Sequence, residues 1–346
     1  MRCLQDALEF PFLGIPGLVR FIDVRTQWFD EGVTAALDDG ITQVVIIAAG
    51  YDTRAYRLSR PGVKFYEIDL PHASKNKQEL VRSLLPAAEV RPGRVFVAAD
   101  LSKVKLADAL AATSFDPTKT TLFTAEGLVY YLPPAAVQQL LTCISNSSAP
   151  GSRVMFDFLN LSTFSGNVWH PGFETLTISV WNKGERMYNG IDERPEAVQR
   201  LLSLFGFGNC CVAGARNMVK RYMPHVEYRS RPPTVSPFFS YVSAEKHPVS
   251  SMADAALAAA APAGKKEVAT SKAARKDSSE LHSAFHKVTD DDAAALRDNS
   301  QLAGNQPAGK LASLVSGPLL SCQQPSVTWR LCAMCRLTSF AMVATS

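Results

Sequence analysis

The chain has 346 residues, a net charge of +4, 47% hydrophobic residues and seven cysteines. So small a positive excess, with no basic stripe interleaved with aromatics, argues against nucleic-acid binding. No apolar run is long enough for stable membrane insertion. An odd and irregular cysteine set speaks against a disulfide framework and for a reducing, cytoplasmic compartment.

The first residues, MRCLQDALEF, lack a continuous apolar core with a small-residue cleavage site, so no signal peptide is expected; an organellar address stays open if the N-terminus is truncated. Residues 18–39 read as a helix from the spacing of Leu18, Ile22, Phe29, Val33 and Leu37. Arg25 interrupts that apolar segment, either laying its stem on apolar surface or facing a ligand. Residues 42–48 follow as a strand. Val44, Val45, Ile46 and Ile47 are β-branched without alternation, as in a central strand covered on both faces. Gly50 then permits a tight turn and a close backbone approach. A helix over 53–58 is expected next, with Asp52 and Arg54 paired at its start. The strand 63–69 closes on Asp69, nineteen positions after Gly50. An acid there can accept hydrogen bonds from ribose hydroxyls or cap the helix that Pro71 opens over 71–85.

The strand 95–98 runs into Asp100 and Leu101, where the acid is either a ligand contact or a cap for the helix over 104–112. The strand 120–125 ends at Glu126, an acid that needs a partner if buried. A helix from Pro133 or Pro134 to about Asn146, a strand over 153–158 and a helix over 194–205 continue the rhythm. Strands over 209–213 and 238–244 are expected to close the sheet as an antiparallel pair. The alternation argues a mostly parallel α/β sheet with right-handed crossovers. Ligand residues then collect at the strands' carboxyl ends.

The turn after the first strand reads Ala48, Ala49, Gly50, Tyr51, Asp52, Thr53, without the G-x-G-x-x-G of a dinucleotide site. Asp52 puts negative charge where a dinucleotide would set its phosphates. A nucleoside with a cationic ammonium and no phosphates, such as S-adenosyl-L-methionine, suits it better.

Six motifs recur in order: AAGYDTRAYRL (48–58), YEIDLP (66–71), ADL (99–101), AEGLVYYLP (125–133), SAPGSRVMFD (148–157) and RYMPH (221–225). Together they resemble the leucine carboxyl methyltransferase family, in its branch of S-adenosylmethionine-dependent O-methyltransferases, over residues 18–245. The resemblance implies a Rossmann-like class I methyltransferase fold with a seven-stranded sheet. It implies that Arg25 pairs with the cofactor's carboxylate, that Gly50 and Asp52 lie against its methionine part, and that Asp69 holds the ribose. Asp100 and Leu101 would embrace the adenine, and Glu126 would lie near the methyl group in transit. The family often carries glycine where this chain has Ala48. Some members have a lysine near the N-terminus, whereas no lysine precedes Lys64 here.

Residues 159–190 break the strand–helix rhythm and are rich in aromatics: Phe164, Trp169, Phe173, Trp181 and Tyr188. With His170 and Arg186 they read either as a lid and acceptor wall or as core filling. Tyr130 and Tyr131 are further candidates for the acceptor pocket. The methyltransferase domain is assigned to residues 1–245. Residues 246–346, alanine-rich and then polar, are expected to form a disordered tail. No metal site is expected, because Cys332 and Cys335 make only half of one. The function expected is methyl transfer to a carboxylate or hydroxyl of a small-molecule acceptor. A hydroxyl would require a base, for which Glu126 and His170 are the candidates. A protein C-terminus as acceptor, a catalytically degenerate scaffold and a nicotinamide oxidoreductase are the alternatives.

Overall fold

The computed structural model describes residues 14–85 and 93–248. Its first half alternates helices and strands: α1 (Leu18–Asp38), β1 (Gln43–Ile47), α2 (Arg54–Arg57), β2 (Lys64–Asp69), α3 (Pro71–Leu84) and β3 (Arg94–Ala98). There follow α4 (Leu106–Ala111), β4 (Thr121–Ala125), a 3-10 turn at Val129–Tyr131, α5 (Pro134–Asn146) and β5 (Arg153–Leu159). The second half holds α6 (Leu161–Phe164), α7 (Phe173–Asn182), α8 (Pro195–Ser203), β6 (Phe207–Gly214), α9 (Ala215–Tyr222) and β7 (Phe239–Lys246).

The strands form one seven-stranded sheet in the order β3-β2-β1-β4-β5-β7-β6. Strands β1 to β5 pair in parallel, and β7 runs antiparallel to both β5 and β6. This is the mostly parallel Rossmann-like sheet expected from the alternation. The chain builds outward from β1 through β2 to β3 and then returns to add β4 on β1's other side. Between β1 and β4 the loops therefore part in opposite directions, and such a switch point opens a crevice at the strands' carboxyl ends.

Side chains alternate across each strand, so the central strands feed two cores. Val44, Ile46, Phe65, Leu122, Met155 and Tyr241 pack with α1 and α9 on one face. Val45, Ile47, Tyr66, Ile68, Phe123 and Phe156 pack with α4, α5 and α8 on the other. Burial on both sides accounts for the unbroken apolar run of β1.

Helix α1 buries Phe21, Val24, Arg25, Trp28, Phe29, Val33 and Ala36, a stripe with the three- and four-residue spacing of one helix face. Gly32 lies in that stripe, where a Cβ would stand 2.4 Å from Met155 Sδ. The end of the Met155 side chain fills that space where α1 packs against β5.

Two features differ from the sequence expectation. Helix α9 was not foreseen: Ala215, Met218 and Val219 are its buried face, too short a signal among four polar residues. The region 159–190 is largely helical. Phe164 and Phe173 pack onto the first core, while Trp169 is 62% exposed, so its aromatics divide between the two readings. Strand β7 ends at Lys246. From residue 249 the tail lies outside the described residues, with Cys332 and Cys335; residues 1–13 lie outside them too. Among the described residues no helix is long and apolar enough to cross a membrane.

Candidate functional site

The crest of β1 turns sharply. Ala48 has φ +55° and Gly50 φ +42°, both in the left-handed region that favours glycine. The turn aims the Gly50 N–H across to β2, where it donates to Asp69 Oδ2 at 2.6 Å. Asp69 Oδ1 accepts the Leu70 N–H at 2.7 Å. Burial pushes the Asp69 carboxyl up, against the opposing pull of those two N–H groups and of the Lys77 charge. Helix α3 takes Leu70 as its N-cap residue, with no side-chain cap bond. Asp69 is therefore spent on the β1 turn and not on capping α3. A carboxylate offers about four acceptor positions, so two bonds leave capacity for hydroxyl donors.

Asp52 occupies the start of α2. Its Oδ1 accepts the Arg54 N–H at 2.7 Å and its Oδ2 accepts from Arg54 Nη1 at 2.6 Å. Burial works to raise the Asp52 carboxyl, but the charges of Arg54 and Lys77 and those hydrogen bonds hold it below its ordinary value. An acid seated on the first N–H of the helix leaves no cradle for a phosphate.

Arg54 does more than pair with Asp52. The same Nη1 donates to Glu126 Oε2 at 2.6 Å, Nε donates to Asp30 Oδ1 at 2.7 Å, and Nη2 reaches the Thr26 carbonyl at 3.2 Å. This buried guanidinium thus joins α1, the β1 turn and the crest of β4. Glu126 is shared: its Oε1 lies 2.9 Å from Arg25 Nε. Arg25 in turn lies 3.5 Å from Asp157 Oδ2 through Nη1. Asp157 Oδ1 accepts the Gly127 N–H at 2.7 Å. Asp157 is fully buried. Desolvation pushes its carboxyl up to about 6 against the Arg25 charge and the Gly127 N–H, with Glu126 adding to the rise.

Of the residues singled out in the sequence, Arg25, Asp52 and Glu126 meet in this network, and Gly50 and Asp69 form the adjoining turn. Asp100 stands at the crest of β3. Its Oδ1 accepts from the Ser102 N–H at 3.0 Å and hydroxyl at 2.6 Å, and Lys103 Nζ is 3.1 Å from Oδ2. The Ser102 hydrogen bonds lead the causes that hold it below its ordinary value. Leu101 packs on the second core. His170 lies apart, in the loop before α7, with its ring 6.0 Å from that of Phe238. Burial lowers its pKa, Arg231 lowers it further, and Glu193 opposes them.

Three members of the network were not picked out as site residues. Asp30 lies on α1, Arg54 stands two residues from Asp52 and its sequence context points to that pairing alone, and Asp157 closes the motif SRVMFD. Asp157 carried a usable signal, a lone acid near the end of an apolar strand, as at Asp69. Behind the turn lies a second buried pair, Lys77 Nζ to Glu67 Oε1 at 2.5 Å.

Comparison with known proteins bears on this arrangement. A sequence model described as leucine carboxyl methyltransferase matches residues 12–145. That match covers less than half of the chain. The match contains Arg25, Gly50, Asp52, Arg54, Asp69, Asp100, Leu101 and Glu126, and ends before Asp157 and the helical insert. Among similar proteins, a "Putative S-adenosyl-L-methionine-dependent methyltransferase" of Mycobacterium avium is 36% identical over 201 residues, covering 54% of this chain and 65% of that protein. One of the same description from Mycobacteroides abscessus is 39% identical over 190 residues, covering 53% and 61%. The chain thus spans less than two thirds of the length of these curated relatives. A solved structure described as a "putative methyltransferase" from Thermobifida fusca YX has a TM-score of 0.48 and 19% identity, covering 71% of this chain and 88% of that one.

Proposed function

We propose that the chain binds S-adenosylmethionine at the switch point between β1 and β4 and transfers its methyl group to an acceptor carboxylate. The observation that carries this reading is the anchored acid Asp69 on the turn whose helix start is already occupied by Asp52. In this reading the ribose hydroxyls donate to the acceptor capacity left on Asp69. Asp100 and Leu101 take the adenine, the leucine by packing and the acid by accepting an amine hydrogen bond. Gly50 and Asp52 border the methionine chain, Arg25 receives its carboxylate in a charge-assisted contact, and Glu126 faces its ammonium. When bound, the cofactor supplies an electrophilic methyl carbon on a positively charged sulfur. The protein's part is to align that carbon with the acceptor oxygen and to exclude water.

The way the bases are used supports the carboxylate class. Both Glu126 oxygens face guanidinium groups, so taking a proton would cost one of those contacts. His170 has Arg231 and Glu193 as its charged neighbours. An acceptor that arrives ionised needs neither, since a carboxylic acid of pKa about 4 is deprotonated at neutral pH. The family's own description, a carboxyl methyltransferase, agrees with this choice.

Calorimetry with S-adenosylhomocysteine tests the binding half: the wild type should bind, and Asp69→Ala should lose binding by a factor of about 100 or more. Affinity unchanged in Asp69→Ala would overturn the assignment. For the transfer half, a cell extract is screened for products 14 Da heavier. A methyl ester is released by mild alkali, whereas an alkali-stable product would refute a carboxylate acceptor.

A further inference from the structure

The network around Glu126 has a layout that its members' individual roles do not explain. Arg25 and Glu126 face each other as a cation–anion pair, 2.9 Å apart. Behind each stands a second partner of opposite sign. Asp157, on β5, lies 3.5 Å from Arg25 Nη1, whereas Glu126 meets Arg25 at Nε. Arg54, at the start of α2, backs Glu126 through Nη1 on Oε2. The backing groups are themselves fixed. Asp157 is held by the Gly127 N–H; Arg54 is held by Asp30, Asp52 and the Thr26 carbonyl and lies with its guanidinium carbon 5.3 Å from the centre of the Phe29 ring.

A free α-amino acid group is also a cation–anion pair, with its two charges a few ångströms apart. Inserted between Arg25 and Glu126, its carboxylate replaces Glu126 on Arg25 and its ammonium replaces Arg25 on Glu126. The exchange leaves the net charge of the network unchanged. It is feasible only if neither protein group loses all compensation or swings away while the pair opens, because a buried charge without a partner is strongly unfavourable.

We infer that Arg54 and Asp157 are positioning residues that hold Glu126 and Arg25 apart and in place, so that the pair opens to admit an amino-acid zwitterion. Arg54 is placed to fix Glu126 Oε2 while Oε1 turns to the ligand. Asp157 is placed to fix Arg25 through Nη1 while Nε turns from Glu126 to a carboxylate. Neither needs to touch the reacting atoms. The inference rests on the binding reading above, and it assigns residues to the end of the ligand that carries the amino acid.

The test compares two nucleosides that share adenine, ribose and sulfur. S-adenosylhomocysteine carries the zwitterion, and 5′-methylthioadenosine lacks it. Calorimetry at pH 8 measures both on the full chain for wild type, Arg54→Lys and Asp157→Asn, with melting temperatures recorded alongside. Each variant should weaken S-adenosylhomocysteine by roughly tenfold or more, the order expected for a lost charged hydrogen bond, and leave 5′-methylthioadenosine within about twofold. Equal losses for both nucleosides would mean a general structural role and overturn the inference, as would no loss for either. If Arg54→Lys fails to fold, Asp157→Asn decides alone, being nearly isosteric. A wild type that binds neither nucleoside would instead refute the binding reading itself.

Discussion

Asp157 makes the stability of this protein depend on pH in a direction opposite to that of an ordinary salt-bridged acid. The side chain is fully buried on β5. It faces Arg25 from α1, Glu126 and the Gly127 N–H beyond β4, and Tyr241 of β7 in register beside it. Desolvation dominates and brings its carboxyl from the ordinary 3.8 to about 6. A raised value means that the folded chain holds a proton there that the unfolded chain has released. Stability contributed by this site is therefore full below about 3.8 and lost as pH rises to about 6. At about 1.36 kcal/mol per pH unit the full loss is about 3 kcal/mol, of which about 2 kcal/mol falls between pH 4.5 and 8. Asp157→Asn cannot ionise, so subtracting the two proteins isolates the site from every other carboxyl group. Urea unfolding followed by tryptophan fluorescence, at intervals from pH 4.5 to 8, should show the variant gaining on the wild type by about 2 kcal/mol, with the change centred between 4 and 6. Two stability curves that run parallel across that range would refute the reasoning.

Other substitutions probe the same region. Lys77 is 4% and Glu67 2% exposed, so Lys77→Met strands a buried acid and should cost about 3–5 kcal/mol. Adding Glu67→Gln should restore most of it, and a double variant as unstable as the single would argue against the pair. By contrast, the exposed Arg60–Asp38 pair should respond to Asp38→Ala by less than about 1 kcal/mol in the same unfolding assay. Ala48→Gly removes a side chain from a left-handed backbone position; it should stabilise by about 1 kcal/mol and raise the melting temperature by about 2–4 °C. A lower melting temperature would show that the Ala48 methyl contributes packing worth more than the strain.

Much of the architecture was legible because strands and helices declare themselves over a few residues. The unbroken Val44 to Ile47 run, Pro71 and Pro134 at helix starts, and Gly50 at a turn each act locally. Their spacing alone implies a parallel sheet with a crevice over β1. The failures have equally physical causes. Helix α9 has only three buried residues to mark it, and the insert's aromatics divide between core and surface according to which helix face turns inward.

The sequence by itself determined which strands are central, where the chain must turn, and that acids gather at the strand crests. What it left open was which charge answers which. Arg54 stands two residues from Asp52 but also binds Glu126, 72 positions away, and Arg25 meets Asp157 across 132 positions. Such partners are chosen by how closely α1 settles on β5 and by which loops meet above β1 and β4. Periodicity and turn chemistry reach a few residues along the chain, whereas a buried ion pair is decided by which groups the finished fold leaves without water.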